Sequence, residues 1–378
     1  MHYHAHTTAI SHGDIFVCLP NGTPYIAQAY QAGAATHMHL SRREWALFAR
    51  EITPVTLCVI GITGTNGKTS TAHALAQALT TLGYNPYVQG TLNSSLTTPD
   101  CLVTYQAMQQ HEAAGGTHFI MEVSSHGIDQ DRIYGIQFAI KALTTITPDH
   151  LDYHGSFAAY KQTKLRFIDS TDYPGKAITR YKNIIIKNPE NTIMDDNRRL
   201  AKAILLALNI PEVQCDDALM HINWPSGRLE RVAEKPLVVV DFAHTPDALK
   251  HALIATKHAV TGKCYVVFGC GGDRDQQKRP AMGQIASDYA DYTIITTDNP
   301  RTEDPDAIAH AIIAGMKDSH WQHIPNRKQA IAAALSLATP TDAVLIAGKG
   351  HEAYQAIAGS IRPCDTDKAI VQAYYANA

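Results

Sequence analysis

One hexapeptide constrains this chain more than any other stretch. Gly64-Thr65-Asn66-Gly67-Lys68-Thr69 stands between a strand-like run, Val55–Ile62, and a helical pattern from Lys68 to about Leu82. A glycine-rich loop in that setting turns its backbone N–H groups toward one point. The helix behind it adds the positive end of its dipole, so the spacing predicts a cradle for phosphate oxygens. Gly64, Thr65, Asn66, Gly67 and Ser70 would line that cradle, Lys68 would reach the outer phosphates, and the Thr69 hydroxyl would hold Mg²⁺. The general pattern has glycine five residues before Gly67, where this chain has Ile62. The competing reading, a glycine-rich turn with an incidental lysine, leaves the strand and helix on its two sides unexplained.

Short β-branched runs alternate with helical patterns through the rest of the chain, which argues for βαβ units and mostly parallel sheets, an α/β fold. Strand candidates at Thr117–Val123 and Ala142–Thr147 extend the first block. A second block has strands Leu237–Phe242, Tyr265–Cys270, Thr293–Thr297 and Ala343–Ala347, with helices at about 246–258, 279–290, 305–317 and 327–338. Between the blocks, Asn183–Lys187 reads as a strand and Asp195–Leu208 as a helix, and Trp224-Pro225-Ser226-Gly227 reads as a boundary turn. Three domains are expected: a small N-terminal unit, 1–50, with one clear strand at Asp14–Leu19; a central domain, 51–225; and a C-terminal domain, 226–378.

Composition narrows the class. With 45% apolar and 18% charged residues the 378-residue chain is an ordinary globular protein, and a net charge of −3 gives no footing for a nucleic-acid or anionic-membrane partner. No apolar run reaches membrane-span length, and the N-terminus lacks the basic-then-apolar order of a signal peptide. Seven scattered cysteines without a C-x-x-C pair read as reduced thiols. The expectation is a cytoplasmic protein, monomeric in the simplest case. Most of the twenty histidines carry no motif.

The loop and the motifs downstream of it resemble the Mur ligases of peptidoglycan synthesis and their folylpolyglutamate synthetase relatives. Met121-Glu122-Val123-Ser124-Ser125-His126, Asp149-His150-Leu151-Asp152-Tyr153-His154-Gly155 and Gly227-Arg228-Leu229-Glu230-Arg231-Val232 look like the diaminopimelate-adding (MurE-type) branch. So do Asp241-Phe242-Ala243-His244-Thr245-Pro246-Asp247, Gly271-Gly272-Asp273-Arg274-Asp275, Asp298-Asn299-Pro300-Arg301 and Gly348-Lys349-Gly350-His351-Glu352. They occur in the family's order from about residue 55 onward. The resemblance implies a P-loop-containing central parallel-sheet domain and a C-terminal Rossmann-like domain, preceded by a truncated N-terminal α/β unit. It also implies an ATP-dependent ligase that makes an amide through an acyl-phosphate.

By the same resemblance, Glu122 and His150 are Mg²⁺ ligands, Glu122 bridging two ions with Thr69 on one of them. Lys164, in Tyr160-Lys161-Gln162-Thr163-Lys164, matches a lysine carbamylated by CO₂, which would make it the remaining metal ligand. With Lys68, these three form the expected catalytic set. Arg228, Asp241, His244, Asp273 and Arg274 are expected around ATP. Asp298, Asn299, Arg301, Gly348 and Glu352 are expected around the incoming amino acid, with Arg301 on its far carboxylate and Glu352 on its ammonium. Thr97, Thr98, Ser124 and Ser125 are expected to face the acceptor.

Two departures shape the functional expectation. The Asp-Ser-Arg signature of the family's nucleotide-sugar domain is replaced by His6-Thr7-Thr8, and the segment from Lys164 to Gly227 is shorter than in the family. The reading is therefore a compact ligase joining meso-diaminopimelate, or a similar amino acid, to a small-molecule or peptide carboxylate smaller than the UDP-linked one. Residues 1–50 are then expected not to bind uridine. The alternatives are a UDP-N-acetylmuramoyl-dipeptide ligase with a reduced front, a folylpolyglutamate-type ligase, and a non-catalytic nucleotide-binding paralogue.

Overall fold

A computed structural model describes residues 2–179, 193–317 and 319–376. The strand expected at Asn183–Lys187 lies outside the described residues. The chain separates into two compact units, one of 2–145, 161–179 and 198–222 and one of 146–160, 193–197 and 223–376.

The first unit opens with a three-stranded parallel sheet, β1 (Tyr3–His4), β2 (Ile15–Cys18) and β3 (Thr36–His39), in that order. Phe16, Cys18, Ala29 and Ala34 form its small core. Helix α1 (Arg42–Ile52) starts at a capping box: Ser41 Oγ accepts from Glu44 N at 3.2 Å while Ser41 N donates to the Glu44 carboxylate at 2.7 Å. The buried Trp45 of α1 donates its indole N–H to Asp100 Oδ1 at 2.9 Å. Residues 1–50 therefore belong to the same compact unit as the phosphate loop.

The larger sheet of this unit is parallel throughout, in the order β5 (Pro86–Gln89), β6 (His118–Val123), β4 (Cys58–Thr63), β7 (Ile140–Leu143), β8 (Lys176–Thr179). The strand β4 leads through the phosphate loop into α2 (Lys68–Thr81), and α3 (Cys101–Ala113) joins β5 to β6. Strands β4, β6 and β7 are buried almost end to end, which is why they read as continuous apolar runs. With β4 flanked by β6 and β7, the loop opens at the carboxyl ends of three adjacent strands, where open α/β sheets bind ligands. Helix α4 (Phe157–Asp169) carries Lys164.

The second unit is built on the order β13 (Trp321–His323), β12 (Tyr292–Ile295), β11 (Cys264–Phe268), β14 (Ala343–Ala347), β10 (Leu237–Asp241), β9 (Glu230–Glu234), with β9 alone antiparallel. Side chains alternate between two cores. Val239, Val266 and Leu345 pack toward α5 (Pro246–His258) and α6 (Lys278–Tyr289), while Val238, Val267 and Ile346 pack toward α8 (Arg327–Leu337) and α9 (Asp367–Ala376). Helix α7 (Pro305–Ile313) joins the first of these layers through Ile308 and Ile312. Burying about 100 Å² of apolar side chain contributes roughly 2.5 kcal/mol, so a sheet covered on both faces is strongly determined by its sequence. A hairpin, β15 (Tyr354–Ile357) with β16 (Ser360–Pro363), follows β14.

Candidate active site

In the first unit the end of β7 clamps the phosphate loop. Thr65 N donates to Thr145 O at 2.7 Å, Asn66 N to Thr145 Oγ1 at 3.0 Å, and Thr144 Oγ1 to Asn66 O at 2.6 Å. Gly64 has φ 145°, and a Cβ there would lie 1.8 Å from Thr144 Oγ1, so glycine is obligatory for two reasons. Gly67, at φ 89°, turns the chain into α2. Lys68 Nζ donates to Gly64 O and Thr65 O at 2.8 and 3.0 Å, lying back along the loop it serves.

Glu122 stands one residue from the end of β6, in register with Ile62. It is buried, at 1% exposure, and Thr69 Oγ1 donates to both of its carboxylate oxygens at 3.0 Å. Thr91 adds its N–H to Oε1 at 3.1 Å and its hydroxyl to Oε2 at 3.2 Å. The carboxylate passes so close to Gly90 that a Cβ there would lie 2.2 Å from Oε1. A hydroxyl and a carboxylate beside a phosphate cradle are hard oxygen donors, a set that fits Mg²⁺.

The residues expected around the acceptor gather at the same strand end. Thr98 Oγ1 donates to Glu122 O at 2.9 Å and accepts from Ser124 N at 2.9 Å. Thr97 and Thr91 hydroxyls are 3.2 Å apart, and Ser125 is buried in the short helix Ser125–Asp129. Arg132, which sequence reasoning passed over, donates to Thr98 O at 2.8 Å.

Lys164 is 2% exposed, and its Nζ donates to Gly64 O at 2.9 Å, which brings the expected carbamate lysine onto the phosphate loop. His150 belongs to the second unit. It precedes the helix Leu151–His154 at φ 53°, with Nε2 3.4 Å from Asp149 Oδ2. Burial pushes the Asp149 carboxyl up, but His150, His244 and Lys278 outweigh that and hold it down at about 2. Among the described residues no three His, Cys, Asp or Glu side chains converge as a metal cluster. Of the four expected metal ligands, the structure thus joins Thr69 to Glu122 directly.

In the second unit Arg228, Asp241 and His244 come together at the end of β10. The Arg228 guanidinium lies 4.5 Å above the Phe242 ring, which stacks on His351 at 5.5 Å and 29°. Asp241 accepts from Leu229 N at 2.7 Å. Burial raises its carboxyl to about 6, against the opposing pull of Arg228 and neighbouring N–H groups. His244 is lowered by burial and then by the charge of Lys278.

Asp273 and Arg274 do not join that group. Asp273 accepts from Thr302 Oγ1 at 2.7 Å and Thr302 N at 3.2 Å. The Arg301 guanidinium is lowered by burial and then by the charge of Arg274, and its Nη1 donates to Gly272 O at 2.7 Å. Asp273 and Arg274, expected around ATP, thus stand with Arg301 and Thr302. The loops after β11 and β12 are neighbours because their strands are paired, so these residues sit beside Arg301.

The remaining expected residues form one cluster with Arg301. Asn299 Nδ2 donates to Glu352 Oε2 at 2.8 Å, and Asn299 Oδ1 accepts from Ala356 N at 2.9 Å. Gly348, at φ 110°, lies where a Cβ would fall 2.7 Å from Asp298 Oδ2. Sequence reasoning missed Lys349 and Tyr354: Lys349 Nζ lies 3.2 Å from Glu352 Oε2, and Tyr354 OH donates to Glu352 Oε1 at 3.1 Å. The available signal was a lysine flanked by two glycines three residues before an acid.

Known proteins resemble this chain in sequence and in fold. Residues 62–203 match the Mur ligase middle domain and residues 227–350 the Mur ligase, glutamate ligase domain. The chain is 38% identical to the UDP-N-acetylmuramoyl-L-alanyl-D-glutamate--2,6-diaminopimelate ligase of Chromobacterium violaceum, over 81% of this chain and 75% of that one. A solved structure of a ligase of that name superposes with a TM-score of 0.60 at 26% identity, covering 99% of this chain and 94% of the other. Folylpolyglutamate synthase of Mycobacterium tuberculosis, solved with ADP and AMPPCP, shares the fold at a TM-score of 0.66 and 18% identity, covering 81% of this chain and 92% of that one. This chain belongs to the Mur ligase family of ATP-dependent, ADP-forming amide ligases.

Proposed function

We propose that the chain joins an amino acid with a doubly charged far end, meso-diaminopimelate in the first instance, to the carboxylate of a peptide-bearing acceptor. One observation carries the choice of amine: Arg301 and Glu352, a fixed cation and a fixed anion, belong to one cluster held by Asn299 and the hairpin β15–β16. A far end bearing both a carboxylate and an ammonium finds a partner for each. Arg274, beside Arg301, reinforces the preference for a carboxylate.

The reaction proceeds in two displacements. An acceptor carboxylate oxygen attacks the γ-phosphorus of ATP and ADP leaves. The amine nitrogen then attacks the acyl carbon, its proton is lost and inorganic phosphate leaves. The phosphate loop and Lys68 hold the triphosphate, and Thr98 with Ser124 and Ser125 orients the acceptor. In the second unit, Arg228, Asp241 and His244 are the candidates for nucleotide contacts. Thr69 and Glu122 would hold Mg²⁺, which when bound would neutralise charge on the phosphates. A carbamate on Lys164 would place an anion at the phosphate loop in place of an ammonium and so add a ligand for a second cation. Residues 1–41 contain no lysine or arginine, which favours an acceptor without the uridine diphosphate.

Phosphate release measured over a matrix of amino acids and acceptors tests the reading. The acceptors are the UDP-linked dipeptide, the sugar-linked dipeptide and the free dipeptide. Turnover that requires diaminopimelate supports it; turnover with glutamate or lysine alone, or none with any amine, rejects it.

A further inference from the structure

Glu352, the carboxylate read above as the partner of the substrate's far ammonium, already has an ammonium of the protein against it. Lys349 is 2% exposed and its Nζ lies 3.2 Å from Glu352 Oε2 and 3.4 Å from Asn299 Oδ1, and it also donates to Tyr354 O. The Tyr354 ring centroid is 5.3 Å from the same nitrogen. A buried lysine is costly unless its charge is paired and its protons are accepted, and here every acceptor comes from the amino-acid cluster. One ammonium therefore ties together the loop after β12, the loop after β14 and the first strand of the hairpin.

That arrangement has a consequence for selectivity. Glu352 Oε2 receives Asn299 and Lys349, while Oε1 receives the Tyr354 hydroxyl. An ammonium arriving from the substrate meets a carboxylate whose charge is largely balanced, with Arg301 and Arg274 close by as further cations. An amino acid whose far end is an ammonium alone, such as lysine, gains little from this site and is repelled by its cations. One that also brings a carboxylate compensates Arg301 and gains from both. We propose that Lys349 is a specificity-determining positioning residue. It fixes Glu352 and Asn299, and its charge makes the pocket reject amines that lack a second carboxylate.

The proposal rests on the amine reading above, and the experiment separates the two. Wild-type protein is first assayed with diaminopimelate and with lysine; lack of diaminopimelate turnover rejects the underlying reading before any variant is made. Lys349→Met and Lys349→Gln are then compared with wild type by kcat/KM for both amines and KM for ATP. The expected result is that the diaminopimelate-to-lysine preference falls by about tenfold or more, with the KM for ATP unchanged. Lys349→Arg, which keeps the charge, retains most of the preference. An equal loss for both amines would mean a structural brace without a role in selection and overturns the proposal. So does failure of both neutral variants to fold, judged by circular dichroism and thermal melting.

Discussion

The Thr69 hydroxyl donates to both oxygens of the Glu122 carboxylate, 3.0 Å from each, so the first residue after the loop lysine and the strand-end acid form one buried unit. The pair joins the first turn of α2 to β6, whose register with β4 sets Glu122 opposite Ile62. Its test is direct. Glu122→Gln keeps the hydrogen-bonding shape but removes the charge, and kcat for ATP-dependent phosphate release is expected to fall by about 100-fold or more, roughly 2.7 kcal/mol. Thermal melting without nucleotide should change little. An active Glu122→Gln enzyme would remove Glu122 from the metal site.

Lys164→Ala is expected to abolish ligation, and acetate or formate to restore part of it by supplying the anion. A ¹³C carbamate resonance should appear in wild-type protein equilibrated with ¹³C-bicarbonate and be missing from the variant. A wild-type protein without that resonance, yet fully active in CO₂-depleted buffer, overturns the carbamate.

Arg301→Lys retains the charge but loses the bidentate fork, and Arg301→Ala loses both. Removing a partner of a buried charge costs roughly 2–5 kcal/mol. The KM for diaminopimelate should therefore rise steeply in the alanine variant and less in the lysine variant, with the KM for ATP nearly constant. A matched rise in both constants would place Arg301 elsewhere in the reaction.

Asp241 gives a pH signature. Its carboxyl is raised from the ordinary 3.8 to about 6, so between these values the folded protein holds a proton that the unfolded chain has released. The stability it contributes is complete below pH 3.8 and is lost as pH rises through about 6. Asp241→Asn should consequently raise the melting temperature of the apo-protein relative to wild type at pH 8 and leave it nearly unchanged at pH 4. The opposite ordering would show that the charged form is the stabilised one.

Isothermal titration addresses the front of the chain. Residues 1–41 offer a diphosphate no lysine or arginine. The UDP-linked dipeptide is expected to bind no more tightly than the sugar-linked dipeptide without UDP. A preference of about tenfold or more for the UDP form, some 1.4 kcal/mol, assigns the acceptor to the nucleotide-linked class instead.

Much of the fold and the site is legible in the sequence because the chemistry and the local structure use the same residues. The strand before Gly64, the helix at Lys68 and the glycines themselves announce the loop, and apolar runs such as Leu237–Asp241 announce buried parallel strands. Proximity that depends on strand order is not legible. Arg274 resembles a nucleotide contact in kind, but the pairing of β11 with β12 carries it to Arg301. The hairpin β15–β16 also escapes a sequence reading, although Ala358-Gly359, both at positive φ, form its turn. Its first strand, Tyr354-Gln355-Ala356-Ile357, shows little apolar alternation and is held through Ala356 N and Gln355, and so Tyr354 and the role of Lys349 stay hidden.

Gly90 shows where such a site is fragile. It makes no bond to substrate in any reading of the reaction, yet its bare Cα leaves the space that Glu122 fills. Thr69 and Thr91 hold that carboxylate from the other sides, so an added methyl group would have to displace it from those hydrogen bonds. A copy of this gene could keep every lysine, histidine and acid of the motifs and still be silenced by alanine at position 90. Telling working ligases from decayed ones within such a lineage therefore means reading the small residues as closely as the charged ones.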